Sequence, residues 1–432
     1  MPGKDTYKRA QKVLAGGVSA SMRIHPYLER PVYVTHGDGA HIWDETGAKL
    51  LDFNNSNGAT MLGHNYPAVQ DAMQELMNKG PVSAGESEEH VQLAERLCKI
   101  IPSAERVRYA STGTEATSLA LRLARHVTGR QKFLKFNGHF HGLADAFLFQ
   151  PRDTIHASAK PQAVSGGVPS SYAYDSLSVS WNDRDALDAM MEREGTSIAA
   201  IICEPVWYNA GCVPPDEGFL EHLREVADQY GCVLIFDEVL SGFRMAPGGA
   251  QQHYGVMPDI TTLAKALANG MPLSAIVGKA EYMEQLAPVG PVAHSGTYSG
   301  HPLAIAAANA ATEILSKKKT YTDLNKTANW FYEQLQESFD AANVPVRVQG
   351  VGARFGLYFN REEDVRTSED AATNDHNLNR QFVTGCFDRG VYFHAYRTAG
   401  APGHSGITLS HTREQLSEAL NVIQDVAKSL ER

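Results

Sequence analysis

Apolar and polar positions change period several times along the chain, and the changes mark its elements. Val233, Leu234, Ile235 and Phe236 form a short continuous apolar run, the pattern of a strand covered on both faces in a parallel sheet. Residues 107–110 read as another short strand. A turn, Thr112-Gly113-Thr114, follows, and then Ala116, Leu119, Ala120, Leu123, Ala124 and Val127 recur at helical spacing as far as Gly129. In the middle of the chain KFLKF, AAIICEP, GFLEHLREVADQY and VLIFDEV alternate strand with helix, which predicts an α/β fold on a mostly parallel, doubly wound sheet. The ends differ. Residues 5–14 predict a short amphipathic helix stopped by Gly16-Gly17, and VYVTHGDGAHIWDETGAKLLDF alternates and breaks like an antiparallel meander. Beyond Leu315 two helical patterns, 322–340 and 413–430, surround the strand-like VRVQG, ARFGLYFN and GVYFHAY. The expected division is a large unit over 56–311 and a smaller α+β unit assembled from 1–55 and 312–432.

Composition narrows the class. The chain has 432 residues, 43% hydrophobic and 20% charged, without a low-complexity tract, so an ordered protein with a large core is expected. A net charge of −10 argues against a nucleic-acid partner, and Lys317-Lys318-Lys319 is expected to be a solvated helix end. The 5 cysteines are scattered and never spaced as CxxC, which suits reduced thiols in the cytoplasm. No apolar run approaches the length of a membrane span, and the opening MPGKDTYKRAQKVLAGG lacks the apolar centre of a signal peptide, so no membrane partner is expected.

The candidate chemistry gathers around VLIFDEV. Ligands of open α/β sheets collect at the carboxyl ends of strands, where Asp237 and Glu238 stand. Lys265 lies in the apolar, small-residue segment TTLAKALANG. A lysine there can be a snorkelling surface group, but a buried amine gains a lowered pKa and the capacity to bond an aldehyde. At the start of the helix after residues 107–110, free N–H groups and the hydroxyls of Thr112 and Thr114 offer a phosphate seat, although Thr114 could equally be a plain N-cap. GVGARFG is not a dinucleotide fingerprint, because its third glycine is one residue late and a strand follows. No GxxxxGK[ST] occurs, and GHFHG lacks the spacing of a zinc helix, so no metal is expected. A strand-end acid, a phosphate seat and an aldehyde-bonding lysine together fit one cofactor, pyridoxal 5'-phosphate.

STGTEAT, GHFHG, CEPVWYNAG, LIFDEVLSGFR, TTLAKALANGMP and GTYSGHPLA resemble, in order, the class III pyridoxal-phosphate aminotransferases, and in particular their glutamate-1-semialdehyde 2,1-aminomutase-like branch. The resemblance implies a fold type I transferase that works as a homodimer with its active site at the subunit interface. It makes Lys265 the cofactor-bonding and proton-shuttling amine and Asp237 the partner of the pyridine nitrogen. Val239 would support one ring face and Phe140 the other. Thr112, Gly113 and Thr114 would hold the phosphate together with Thr297 of the partner subunit, and Glu204 and Asn209 would line the site. Arg23 corresponds to an arginine that binds a substrate carboxylate. Arg397 is a second candidate for that task, without a match in the aminomutase and as readily a surface residue.

Two departures bear on the reaction. Asn57 stands where the aminomutase pattern has a tryptophan, and ANGMPLSAIVG replaces its glycine-rich run. They favour an aminotransferase that moves an amino group from a carboxylate-bearing amine, with a β-amino acid expected, to a 2-oxo acid. The aminomutase itself is the alternative. A catalytically silent binding protein on the same fold is a third reading, against which the intact Asp237 and Lys265 weigh.

Overall fold

The structure is a computed structural model and describes residues 4–151, 161–395 and 402–431. Its centre is a sheet of 7 strands in the order Ser176–Val179, Lys132–Phe136, Ile198–Cys203, Val233–Glu238, Ile260–Leu263, Ser274–Gly278 and Arg106–Ala110. The first five pair in parallel. Ser274–Gly278 turns antiparallel to Ile260–Leu263, and Arg106–Ala110 is antiparallel to Ser274–Gly278.

The apolar run of Val233–Glu238 is continuous because helices cover both faces. Val233 and Ile235 pack with Ala116, Leu119 and Leu123 of the helix Gly113–Thr128. Leu234 and Phe236 pack on the other face with Leu187 and Met191 of Arg184–Glu194 and with Leu223 and Val226 of Phe219–Tyr230. All six residues of the strand are buried, and each large aliphatic side chain so placed contributes roughly 1.5–3 kcal/mol.

The same alternation separates the two acids at the strand's end. Glu238 is absorbed by structure: its Oε2 accepts from the Ala250 N–H at 2.7 Å and from Ser241 Oγ at 3.0 Å, while Oε1 accepts from the N–H and Nε2 of Gln251. It thereby ties the strand to the helix Gly249–Tyr254. Asp237 points to the other side.

Both chain ends contribute to the smaller sheets. Val34–Asp38, His41–Asp44 and Lys49–Asp52 form the expected meander, and Val391–Tyr392 adds to it in parallel. Val346–Val351 and Arg354–Phe359 form a hairpin joined by Ser405–Gly406. The helices Lys318–Ala341 and Arg413–Lys428 pack over this region. Two expected elements are shorter. The N-terminal helix is Lys4–Ala10, because the chain then tightens into three-residue turns from Lys12 to Arg9 and from Val13 to Ala10. The strand in GVYFHAY is only Val391–Tyr392, since its partner ends at Asp52.

Ile235→Ala should lower unfolding stability by about 2–5 kcal/mol, measured by urea denaturation, since it opens a cavity between sheet and helix where nothing can collapse freely.

Candidate active site

The carboxyl ends of the parallel strands meet the start of the helix Gly113–Thr128 around a cavity of about 310 Å³. Its wall includes Gly113, Thr114, Phe140, Glu204, Asn209, Asp237, Val239 and Lys265, eight residues singled out above from distant parts of the sequence.

Asp237 is held by three donors. The Val239 N–H reaches Oδ1 at 3.1 Å, and Thr262 Oγ1 donates to the same oxygen at 3.1 Å. Thr262 is in place because it sits opposite Asp237 in the strand register. Oδ2 lies 2.8 Å from His141 Nδ1, with both side chains buried. Burial lowers the pKa of His141 against the opposing pull of Asp237, and a second cation, Lys135, lowers it further. A neutral imidazole with its proton on Nδ1 satisfies this contact. Neither Thr262 nor His141 is among the residues expected from the sequence. GHFHG, which supplied Phe140, also carries this histidine, and the two positions share one loop.

That loop depends on two glycines. Gly138 has φ +81°, and a Cβ there would lie 2.2 Å from the indole of Trp207. Gly142 has φ +90°, and a Cβ would lie 2.5 Å from Thr114 Oγ1. Such approaches leave glycine as the residue that fits. They bring Phe140 to the cavity wall, and the Phe140 N–H donates to Glu204 Oε1 at 2.8 Å.

Glu204 is 3% exposed, and its Oε2 accepts from Asn209 Nδ2 at 2.9 Å. Burial raises its pKa to about 8, against the lowering effect of those two donors. Lys265 is half-buried, its exposed part forming cavity wall, and its backbone is left-handed at φ +47°. Such a conformation in a residue other than glycine is strained, and strain of this kind collects at functional sites. Desolvation lowers the Lys265 amine from its ordinary 10.5 to about 8. The segment after it is pinned by Asn269, whose Oδ1 accepts from the Leu62 N–H at 2.9 Å and whose Nδ2 donates to the Gly63 carbonyl at 3.1 Å.

At the helix start Thr112 has a structural task as well. Thr112 is the N-cap: its hydroxyl accepts from the Glu115 N–H at 3.2 Å, while Glu115 Oε2 accepts from the N–H groups of Ser111 and Thr112. A capping box thus uses the Thr112 oxygen as an acceptor without engaging its O–H proton, and Ser111 lines the cavity wall. Among the described residues no protein group accepts from the N–H of Gly113 or Thr114, so two donors remain at the positive end of a 16-residue helix. A side chain in place of Gly113 would press on Val239 at 3.2 Å.

The other site residues lie elsewhere. Thr297 is exposed. Arg23 ends a short exposed turn, Ser21–Arg23, and lies within electrostatic reach of Tyr392. Asn57 belongs to a left-handed turn in which Asn55, Ser56, Asn57 and Gly58 have φ of 53°, 55°, 56° and 79°. Asn54 caps that turn from one side and donates to Tyr392 Oη at 3.4 Å, so Arg23 and Asn57 share a neighbourhood. Buried groups hold the turn: Asn55 Nδ2 donates to the Gly406 carbonyl at 2.8 Å, and Arg244 donates to the Gly58 carbonyl. Ala59, next in sequence, lines the cavity. Arg397 lies outside the described residues.

A profile of the class III aminotransferases matches residues 24–426, and the chain belongs to that family. It is a pyridoxal-phosphate-dependent aminotransferase of fold type I. Solved structures agree. An omega-transaminase from Sphaerobacter thermophilus superposes with a TM-score of 0.89 at 27% identity, covering 99% of this chain and 97% of that one. A β-phenylalanine aminotransferase from Variovorax paradoxus gives 0.86 at 29% identity, over 98% and 93%. A glutamate-1-semialdehyde aminomutase from Pseudomonas aeruginosa PAO1 gives 0.87 at 24% identity, over 98% and 93%, which speaks for the fold.

The cavity fits the cofactor on its own terms: a buried carboxylate at one wall, two helix-start N–H groups at another and an enclosed amine between strand and turn. Pyridoxal phosphate supplies an aldehyde that bonds amines and a ring that withdraws electrons from the substrate carbon. On the protein side, Asp237 would receive the ring nitrogen, and the N–H groups of Gly113 and Thr114 would receive the phosphate. Lys265 Nζ is the group able to accept and return a proton, since an amine with a pKa near 8 populates both charge states near neutral pH.

Burial disfavours the ammonium form, so the reactive neutral amine of Lys265 should appear at lower pH than in an exposed lysine. Labelling of Lys265 in the cofactor-free protein, followed by mass spectrometry, should therefore rise through an inflection near 8 instead of near 10.5.

Proposed function

We propose that this aminotransferase moves an amino group from a carboxylate-bearing amine, a β-amino acid, to a 2-oxo acid, and that it does so as a cytoplasmic homodimer in which Thr297 of the partner subunit completes the phosphate seat. The observation that carries the donor class is the placement of Arg23. Its guanidinium lies near Tyr392, beside the Asn54–Asn57 turn that leads into the cavity wall at Ala59. A guanidinium grips a carboxylate through two parallel hydrogen bonds, and at this rim it would hold the acid end of a substrate whose amine reaches Lys265. Asn57, an amide at the same rim, suits a polar group next to that carboxylate. Likeness to the Variovorax β-phenylalanine aminotransferase supports the β-amino acid.

Within this reading the cofactor unit spans 56–311, and the residues 1–55 and 312–432 form the smaller unit that carries Arg23 and Arg397. The division follows the sheets, since Lys49–Asp52 pairs with Val391–Tyr392. Among the described residues no helix is long and apolar enough to cross a membrane.

Purified enzyme given a β-amino acid with pyruvate or 2-oxoglutarate should form a keto product, and Lys265→Ala should abolish it. Arg23→Ala should raise KM for the donor about 10–100-fold with kcat little changed, as expected for a lost charge-assisted contact. Turnover of glutamate-1-semialdehyde with no keto product from any β-amino acid would identify the aminomutase instead.

A further inference from the structure

Thr297 lies just before the helix Pro302–Leu315, in a pair of consecutive turns where the Ser299 N–H donates to the Gly296 carbonyl at 3.0 Å and the His301 N–H to the Tyr298 carbonyl at 3.1 Å. It is exposed in the single subunit, whereas Gly300, three residues on, is buried. What covers Gly300 is His90. The glycine has φ +67°, and a Cβ there would lie 3.2 Å from His90 Cδ2 and 3.5 Å from Tyr109 Cβ. A larger residue would strain the backbone and press on the ring.

His90 stands in the first turn of the helix Glu88–Ile100 and is 5% exposed. Its two ring nitrogens have separate partners. Nδ1 accepts from the Ser87 N–H at 3.1 Å, which closes the helix start, and the proton then belongs on Nε2, which donates to the Gly300 carbonyl at 2.7 Å. The His90 carbonyl accepts from Tyr109 Oη at 2.8 Å. Tyr109 belongs to Arg106–Ala110, the strand that runs on through Ser111 and Thr112 into the helix start at Gly113. One buried residue thus joins the strand behind this subunit's own phosphate seat to the loop that carries Thr297. The helix cap by itself calls for one acceptor, which a glutamine or glutamate supplies as well. The second nitrogen reaches a residue 210 positions along the chain, and local structure gives no reason for it.

We propose that His90 is a positioning residue for the cofactor phosphate: by holding Gly300 it fixes the turns that present Thr297 to the partner subunit's seat. The proposal rests on the reading of Thr297 as the hydroxyl that completes that seat. A hydroxyl on an exposed loop binds an anion well only if the loop is ordered beforehand, because ordering it on binding costs affinity. The ring of His90 supplies that order from inside the subunit, and Tyr109 ties it to the strand leading to Gly113. In a dimer, each seat would then depend on a histidine of both subunits, its own and its partner's.

The test compares the Kd for pyridoxal 5'-phosphate with that for pyridoxal, which lacks the phosphate, by equilibrium dialysis of the full-length protein. His90→Asn keeps an oxygen where Nδ1 accepts from Ser87 but is too short to reach Gly300. It should raise the Kd for pyridoxal 5'-phosphate about 3–10-fold and leave the Kd for pyridoxal unchanged. Thr297→Ala should raise the first by about tenfold or more, and the double variant should match Thr297→Ala within about twofold, since His90 acts through Thr297. Gly300→Ala, which leaves the helix cap intact and pushes on the ring from the other side, should behave as His90→Asn does. A Kd for pyridoxal 5'-phosphate unchanged in both His90→Asn and Gly300→Ala overturns the proposal alone, as does equal weakening of both ligands or a double variant whose losses multiply. An unchanged Kd in Thr297→Ala overturns the reading of Thr297 and the proposal with it.

Discussion

A carboxylate taken out of water must be met by donors, and the environment of Asp237 shows how much of this fold answers that demand. Strand pairing sets Thr262 opposite it, the chain's own turn supplies the Val239 N–H, and a loop from another part of the sheet delivers His141. Each donor comes from a different element, so the acid is correctly aimed only when strand register, turn and loop are all formed. Its neighbour Glu238 serves the opposite side, where its contacts with Ser241, Ala250 and Gln251 fix the end of the strand. Adjacent acids of the same sequence motif thus divide chemistry from structure through the two-residue period of a strand.

Much of this was legible before any coordinates. The unbroken apolar run at Val233–Phe236, the lysine among small residues and the hydroxyl-rich turn before a helix each carry a local signal, and the fold brings them to one cavity. The rest depends on partners that sequence spacing does not encode. His141 and Asp237 are 96 residues apart, and their contact exists because Gly138 and Gly142 let the loop close against Trp207 and Thr114. Thr112 illustrates a conflict between two local rules. The spacing of Thr112 and Glu115 is that of a capping box, and the same turn carries the hydroxyls expected of a phosphate seat; the cap engages the Thr112 oxygen as an acceptor and leaves the N–H groups of Gly113 and Thr114 as donors. Direction was also hidden, for the strand Arg106–Ala110 joins a mostly parallel sheet but runs antiparallel to its neighbour Ser274–Gly278 at the edge.

In the proposed reading, the groups that act on the cofactor and those that would choose the substrate are built differently. Asp237, His141, Glu204 and Lys265 are anchored in or beside the central sheet, where packing on both faces leaves little freedom. Arg23 and Asn57 sit on short turns, the usual location for groups that vary with specificity. A family whose members handle different amines on one cofactor can vary the second set while holding the first.

The turn at Asn55–Gly58 puts a limit on that freedom. Left-handed backbone is tolerated by glycine and asparagine and resisted by bulky side chains, and four such residues in a row form a filter on what can replace Asn57. The aminomutase pattern has tryptophan at this place, a residue that would strain against the present backbone while Arg244 and Asn55 keep the turn closed. Exchange of Asn57 for a bulky residue would therefore carry a backbone cost of roughly 1–2 kcal/mol unless the path of the chain changed with it.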